Sequence, residues 1–125
     1  MRPLLAASDA VALCSTSETF SLAALEAMAL GRPVVQSQIG GAAEMTVPGE
    51  NGALFPVGDT AALVARLAAL ADPAARRRMG AAARATVESR FSERAMVDRY
   101  EQRLIELGSQ RSDSDRKLRK PARAY

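Results

Sequence analysis

Histidine and tryptophan are absent from this chain, and cysteine occurs once. Without imidazole no unperturbed side chain titrates near neutral pH as general base or proton shuttle, and the commonest metal ligand is missing. One cysteine excludes a disulfide within the chain and a thiolate metal cluster. Cys14 stands in the apolar run Ala10-Val11-Ala12-Leu13-Cys14, which predicts a buried, inert thiol and not a nucleophile. Large apolar groups are scarce. Three Phe and two Tyr are the only aromatics, and alanine is the largest contributor to the 48% hydrophobic content, so the core is expected to be thin. Long apolar runs are missing too. Nothing approaches the roughly 20 residues of a membrane span, and Met1-Arg2-Pro3-Leu4-Leu5 is too short for a signal peptide ahead of Ser8-Asp9. The expectation is a soluble, cytoplasmic chain.

The formal charge is +3 over 125 residues, with its positive excess confined to one end. Residues 1–108 hold eleven basic and twelve acidic groups, net −1; residues 109–125 hold six and two, net +4. A nucleic-acid surface requires cations spread over a folded face with aromatic platforms between them. This pattern excludes one, and the length admits a single domain.

Short apolar runs alternate with helical patterns, the signature of parallel α/β units. Strands are expected at Val11–Ser15, Pro33–Ser37 and Ala53–Phe55. Helices are expected at Phe20–Leu30, with an apolar face of Leu22, Leu25 and Ala29, and as a short turn at Ala42–Thr46. A third follows at Thr60–Ala71, capped by Asp59 and faced with Leu63, Leu67 and Leu70. Asp72-Pro73, a cap followed by proline in the first turn, opens another running to about Ser89. A last helix, Glu93–Leu107, is capped by Ser92 and carries the stripe Met96, Val97, Tyr100, Leu104 and Leu107, with Gly108 as its stop. From Ser109 onward composition turns to Ser, Asp, Lys and Arg without periodicity, which predicts a disordered tail over 109–125 after a folded part of 1–108.

Chemistry concentrates in Ser15-Thr16-Ser17-Glu18-Thr19-Phe20-Ser21-Leu22 and the helix that follows. A strand delivers a polar loop to its carboxyl end and a helix begins there, the place where open parallel sheets bind ligands. Amides of Thr19, Phe20, Ser21 and Leu22 at that helix start suit a pyrophosphate, aided by the positive end of the dipole. Glu18 precedes the helix and Glu26 lies within it. By the Leu22 and Leu25 phase, Glu26 falls near the core face, an expensive place for a carboxylate that lacks hydrogen-bond donors. Paired sugar hydroxyls are suitable donors, which suits Glu26 to a ribose and Glu18 to a hexose beyond the phosphates.

Glu18 and Glu26 with seven residues between, followed by Ala-Met-Ala-Leu-Gly31-Arg-Pro33-Val-Val, resemble the E-x7-E signature of GT-B glycosyltransferases of the family 4, or group 1, type. Ser37-Gln38-Ile39-Gly40-Gly41-Ala42-Ala43-Glu44 resembles that family's Gly-Gly-x-x-Glu segment, and Pro48-Gly49-Glu50-Asn51-Gly52 with Gly58-Asp59 continues the likeness. It covers residues 4–72 as motif and reaches about 107 as helix pattern. The resemblance implies the last three strands of a Rossmann-like donor domain. It further implies retaining transfer of a hexose from a nucleotide-diphosphate sugar, without a metal or other cofactor. By position, Glu18 takes the catalytic and donor-sugar role, the backbone of Thr19, Phe20, Ser21 and Leu22 the phosphates, and Glu26 the ribose. One departure stands out: the family's usual Gly-Phe-Gly after the first glutamate is Thr19-Phe20-Ser21 here, which leaves the donor type open.

The resemblance also implies an acceptor-binding domain and a basic phosphate loop that this sequence does not contain. The expected state is a truncated donor-binding fragment, inactive by itself; the alternative is a remnant or binding module that needs a partner chain to supply the other domain. Gly40-Gly41 reads either as a tight turn or as a place of close ligand approach. Arg32 and Arg76-Arg77-Arg78 read as solvated.

Overall fold

A computed structural model describes residues 2–118 of the chain. Three parallel strands, β1 (Val11–Leu13), β2 (Val34–Ser37) and β3 (Gly52–Phe55), pair in the order β1-β2-β3. Val34 stands opposite Val11 on one side and Gly52 on the other. Parallel neighbours require crossovers, supplied by α2 (Leu22–Ala29) between β1 and β2 and by α3 (Ala42–Met45) between β2 and β3. α1 (Arg2–Ala7) precedes the sheet; α4 (Thr60–Ala69) and α5 (Pro73–Arg90) follow it. The expected α/β class, a three-stranded parallel sheet flanked by helices, is the observed one.

Every residue of β2 is buried, and strand alternation sends successive side chains to opposite faces. Val34 joins Leu5, Ala24, Ala27, Met28, Met45, Ala83 and Val87, whereas Val35 joins Ala53, Phe55, Leu70 and Met79. α5 feeds both clusters, Met79 going to one and Ala83 and Val87 to the other. Between them Gly80 comes so close to the loop after α2 that a Cβ there would overlap the carbonyl oxygen of Gly31. Behind the sheet, Asn51, 1% exposed, ties three segments together. Its Oδ1 accepts from the Val47 amide at 2.7 Å, and its Nδ2 donates to the Met45 carbonyl at 3.1 Å and to Thr86 Oγ1 at 3.0 Å.

The expected caps form. Asp59 accepts from the Ala62 amide at 2.8 Å, and Asp72 from those of Ala74 and Ala75 at 3.0 and 3.2 Å, with Pro73 opening α5. Those two N–H donors hold the Asp72 carboxyl below its ordinary range.

Several expectations are corrected. β1 ends at Leu13, and Cys14 is exposed instead of buried. β1 alternates between half-buried and exposed residues, whereas β3, the other edge, is buried throughout against α4 and α5, so an apolar edge strand is buried only where helices cover it. α2 starts at Leu22 with Ser21 as its cap, and it buries Ala24, Ala27 and Met28. Leu22 is 72% exposed, because the narrow space against α5 and the sheet admits alanine more closely than leucine. α4 buries none of its own residues, and of its expected face only Leu70, its C-cap, is buried.

Ser92 begins a second compact unit. Its Oγ accepts from the Ala95 amide at 3.2 Å and so caps α6 (Glu93–Leu118) as expected. Met96, Val97, Tyr100, Leu104 and Leu107 of the anticipated stripe are all exposed. The helix does not stop at Gly108, which is absent from the left-handed conformation that ends helices. A glycine inside a helix costs only about 1 kcal/mol against alanine. α6 extends to Leu118, into the first part of the expected tail, and the rest of that tail, 119–125, lies outside the described residues.

Candidate functional site

The loops leaving β1 and β2 at their carboxyl ends border a small, open cleft. Its lining is Leu13, Ser15, Glu18, Ser21, Gln36, Ser37, Ile39 and Ala42. Glu18 lies on the exposed loop between β1 and α2, as expected. Ser21 Oγ accepts the Ala24 amide at 3.3 Å, and the amides of Leu22 and Ala23, in the first turn of α2, have no intrahelical acceptor. The positive end of the helix dipole therefore opens at the rim of the cleft.

Of the four anticipated amides, that of Thr19 donates to the carboxylate of its own neighbour, Glu18 Oε1, at 3.1 Å. Phe20 and Ser21 precede the helix that Leu22 opens, and the Phe20 ring lies 5.7 Å from that of Phe91, tilted by 54°. Glu26 is exposed, sharing the outer face of α2 with Leu22 and Ala29 and standing outside the cleft lining. The expectation that it sits near the core is wrong because the buried face is the alanine face. Four residues beyond Leu22, it is displaced by about 6 Å along the helix axis. The two glutamates thus lie at the start and on the outer side of one helix, both open to solvent.

Sequence reading missed the floor of the cleft. Gln36 and Ser37 are buried at the end of β2. Gln36 Nε2 donates to Thr46 Oγ1 at 2.7 Å, and Ser37 Oγ donates to the Leu13 carbonyl at 3.5 Å. A polar Gln-Ser pair ending an apolar strand is the signal that could have marked them. Phe91 left no such signal, since its approach to Phe20 joins residues remote in sequence. Arg32 and Arg76, expected to be solvated, bind the carboxyl ends of α1 and α4. Arg32 Nη2 donates to the Ala6 carbonyl at 2.5 Å; Arg76 Nη1 donates to the carbonyls of Leu70 and Ala71 at 2.7 and 2.9 Å, and its Nη2 lies 3.5 Å from Asp9. Among the described residues no group of three or more Cys, Asp or Glu could hold a metal ion, and no helix is long and apolar enough to cross a membrane.

Residues 1–86 match the family model described as glycosyl transferases group 1. N-acetyl-alpha-D-glucosaminyl L-malate synthase of Bacillus anthracis is 39% identical over 99 residues, covering 78% of this chain and 26% of that protein. The chain spans about a quarter of the length of the curated relatives it matches. Among solved structures, Anabaena HepE in complex with UDP superposes with a TM-score of 0.71 at 33% identity, covering 86% of this chain and 29% of HepE. The C-terminal domain of the group 1 glycosyl transferase LpcC from Francisella tularensis gives 0.67 at 27% identity, covering 72% of this chain and 47% of that domain. Taken with the glutamate-bearing loop and the helix start at the sheet's carboxyl edge, these likenesses show that the chain belongs to the group 1 glycosyltransferases of GT-B fold and corresponds to part of their C-terminal domain.

Proposed function

We propose that the chain is the donor-binding part of a retaining hexosyltransferase that uses a nucleotide-diphosphate sugar. The observation that carries this reading is the juxtaposition of Glu18 on the cleft with the open first turn of α2 and the exposed Glu26 on the same helix. A diphosphate set over Leu22 and Ala23 gains two backbone donors and the helix dipole, worth about 0.3–2 kcal/mol. The loop backbone of Thr19 to Ser21 borders the same phosphates. The sugar then extends toward Glu18 as the catalytic carboxylate and the nucleoside toward Glu26, which accepts from the two ribose hydroxyls. HepE has been crystallised with UDP-glucose, which supports a uridine nucleotide as the first probe.

No metal is assigned to this site; the helix start and backbone donors carry the phosphate charge instead. Transfer requires an acceptor held in line with the anomeric carbon and water excluded from it. In this reading a second domain, on a partner chain or on further sequence, supplies both, and the isolated chain binds donor without transferring it. A cytoplasmic location belongs to the same proposal.

Titration of UDP-glucose into the 125-residue chain, followed by calorimetry, tests the reading. Saturable binding is expected, and Glu26→Ala is expected to weaken it by about 1–3 kcal/mol, the cost of losing charged hydrogen bonds. No saturable binding of UDP-glucose or of other nucleotide-diphosphate sugars would refute the proposal. Wild-type affinity in Glu26→Ala would remove that residue from the site.

A further inference from the structure

We infer that Gly40, Gly41 and Phe91 form a seat that fixes the conformation of the loop carrying Glu18 and so act as positioning residues for the donor-sugar contact. The last clause rests on the function proposed above; the seat itself rests on packing. Gly40, in the loop between β2 and α3, has a φ of +48°, and a Cβ there would overlap the carbonyl oxygen of Glu18 and lie 2.9 Å from that of Thr19. Gly41 donates its amide to the Thr19 carbonyl at 2.7 Å. A Cβ on Gly41 would stand 2.8 Å from Phe20 Cδ2 and 2.9 Å from the Thr19 oxygen. The Phe20 ring is held from a further direction by Phe91, at the end of α5.

Two backbones therefore meet without an intervening side chain, and a hydrogen bond locks them. This resolves the two readings of the glycine pair: the close approach is to the loop that bears Glu18. A single added methyl has no free volume to enter, because its neighbours are peptide oxygens and, at Gly41, also the Phe20 ring, which Phe91 backs. The loop must move, and Glu18 moves with it. Glu26 is insulated, since α2 is anchored separately by Ala24, Ala27 and Met28.

Gly40→Ala, Gly41→Ala and Phe91→Leu test the seat, with Gly80→Ala as control. A Cβ on Gly80 would also overlap a backbone oxygen, that of Gly31, but neither residue lines the cleft or touches the Glu18 loop. Without ligand, amide resonances of Glu18 to Ser21 are expected to shift, and their hydrogen exchange to accelerate, in the three seat variants and not in Gly80→Ala. With UDP-glucose, the folded seat variants are expected to lose at least about ten-fold in affinity, whereas Gly80→Ala lowers the unfolding midpoint and leaves the affinity of folded protein unchanged. Should Gly40→Ala fail to fold, Gly41→Ala and Phe91→Leu carry the test. Unmoved loop amides in folded Gly41→Ala and Phe91→Leu would overturn the inference, as would unaltered UDP-glucose affinity. Displaced loop amides in a chain whose wild type binds no nucleotide sugar would uphold the seat and refute the donor function alone.

Discussion

Replacing Asn51 with alanine removes a side chain that is 1% exposed and makes three hydrogen bonds at 2.7, 3.0 and 3.1 Å. Each such bond contributes about 1 kcal/mol net, and a buried group left without a partner costs about 1–3 kcal/mol. Thr86 keeps its bond to the Ala82 carbonyl at 2.9 Å, and the half-buried Val47 amide can be hydrated, so the Met45 carbonyl carries the main penalty. The expected loss is about 3 kcal/mol, a large fraction of the 5–15 kcal/mol that holds a domain together. For a folded unit of this size that corresponds to a fall of roughly 12–24 °C in Tm. Urea and thermal unfolding followed by far-ultraviolet circular dichroism measure it. Because Thr46, beside this network, accepts from Gln36 on the cleft floor, loosening the turn should also broaden cleft resonances. Asn51→Asp keeps the acceptor for Val47 but surrenders both donor bonds, and it should be no more stable than the alanine variant. A loss below about 1 kcal/mol for Asn51→Ala would show that water replaces the side chain and that the network does not tie the turn to α5.

Gly80→Ala forces a Cβ into the carbonyl of Gly31, and since neither backbone can yield alone it should destabilise by about 1–3 kcal/mol or more; an unchanged urea midpoint would contradict the close helix-to-loop contact. Asp72 has its carboxyl lowered by the Ala74 and Ala75 amides, so its stabilisation is fully present above the unfolded value of about 4 and is lost as pH falls through the folded one. The Tm difference between wild type and Asp72→Asn should accordingly be steady near neutrality and shrink below about pH 4; a difference that grows on acidification would reverse the assigned sign.

Local signals were enough for the order of elements in this protein. Asp59 and Asp72 announce helix starts because capping is settled by the nearest three residues, and Pro33–Ser37 and Ala53–Phe55 read as strands because each is a short, mainly apolar run bounded by turn residues. The position of Glu18 at a strand's carboxyl end follows from the same local order. What surrounds each residue was decided by tertiary packing. Leu22 and Ala29 satisfy helical spacing as well as Ala24, Ala27 and Met28 do, and only packing against α5 and the sheet selects the second set, with Leu25 half-buried at its border, and turns Glu26 outward. Cys14 follows an apolar run yet is exposed: it lies beyond the end of β1, and which of the two edge strands the helices cover is something no stretch of the chain encodes alone. Gly40 and Gly41 could be recognised as special from the sequence, but what they approach could not, since the Glu18 loop reaches them only when β1 and β2 lie side by side. Pattern specifies which residues can form an element; the partner pressed against it specifies which face is buried and which carboxylate is left facing solvent.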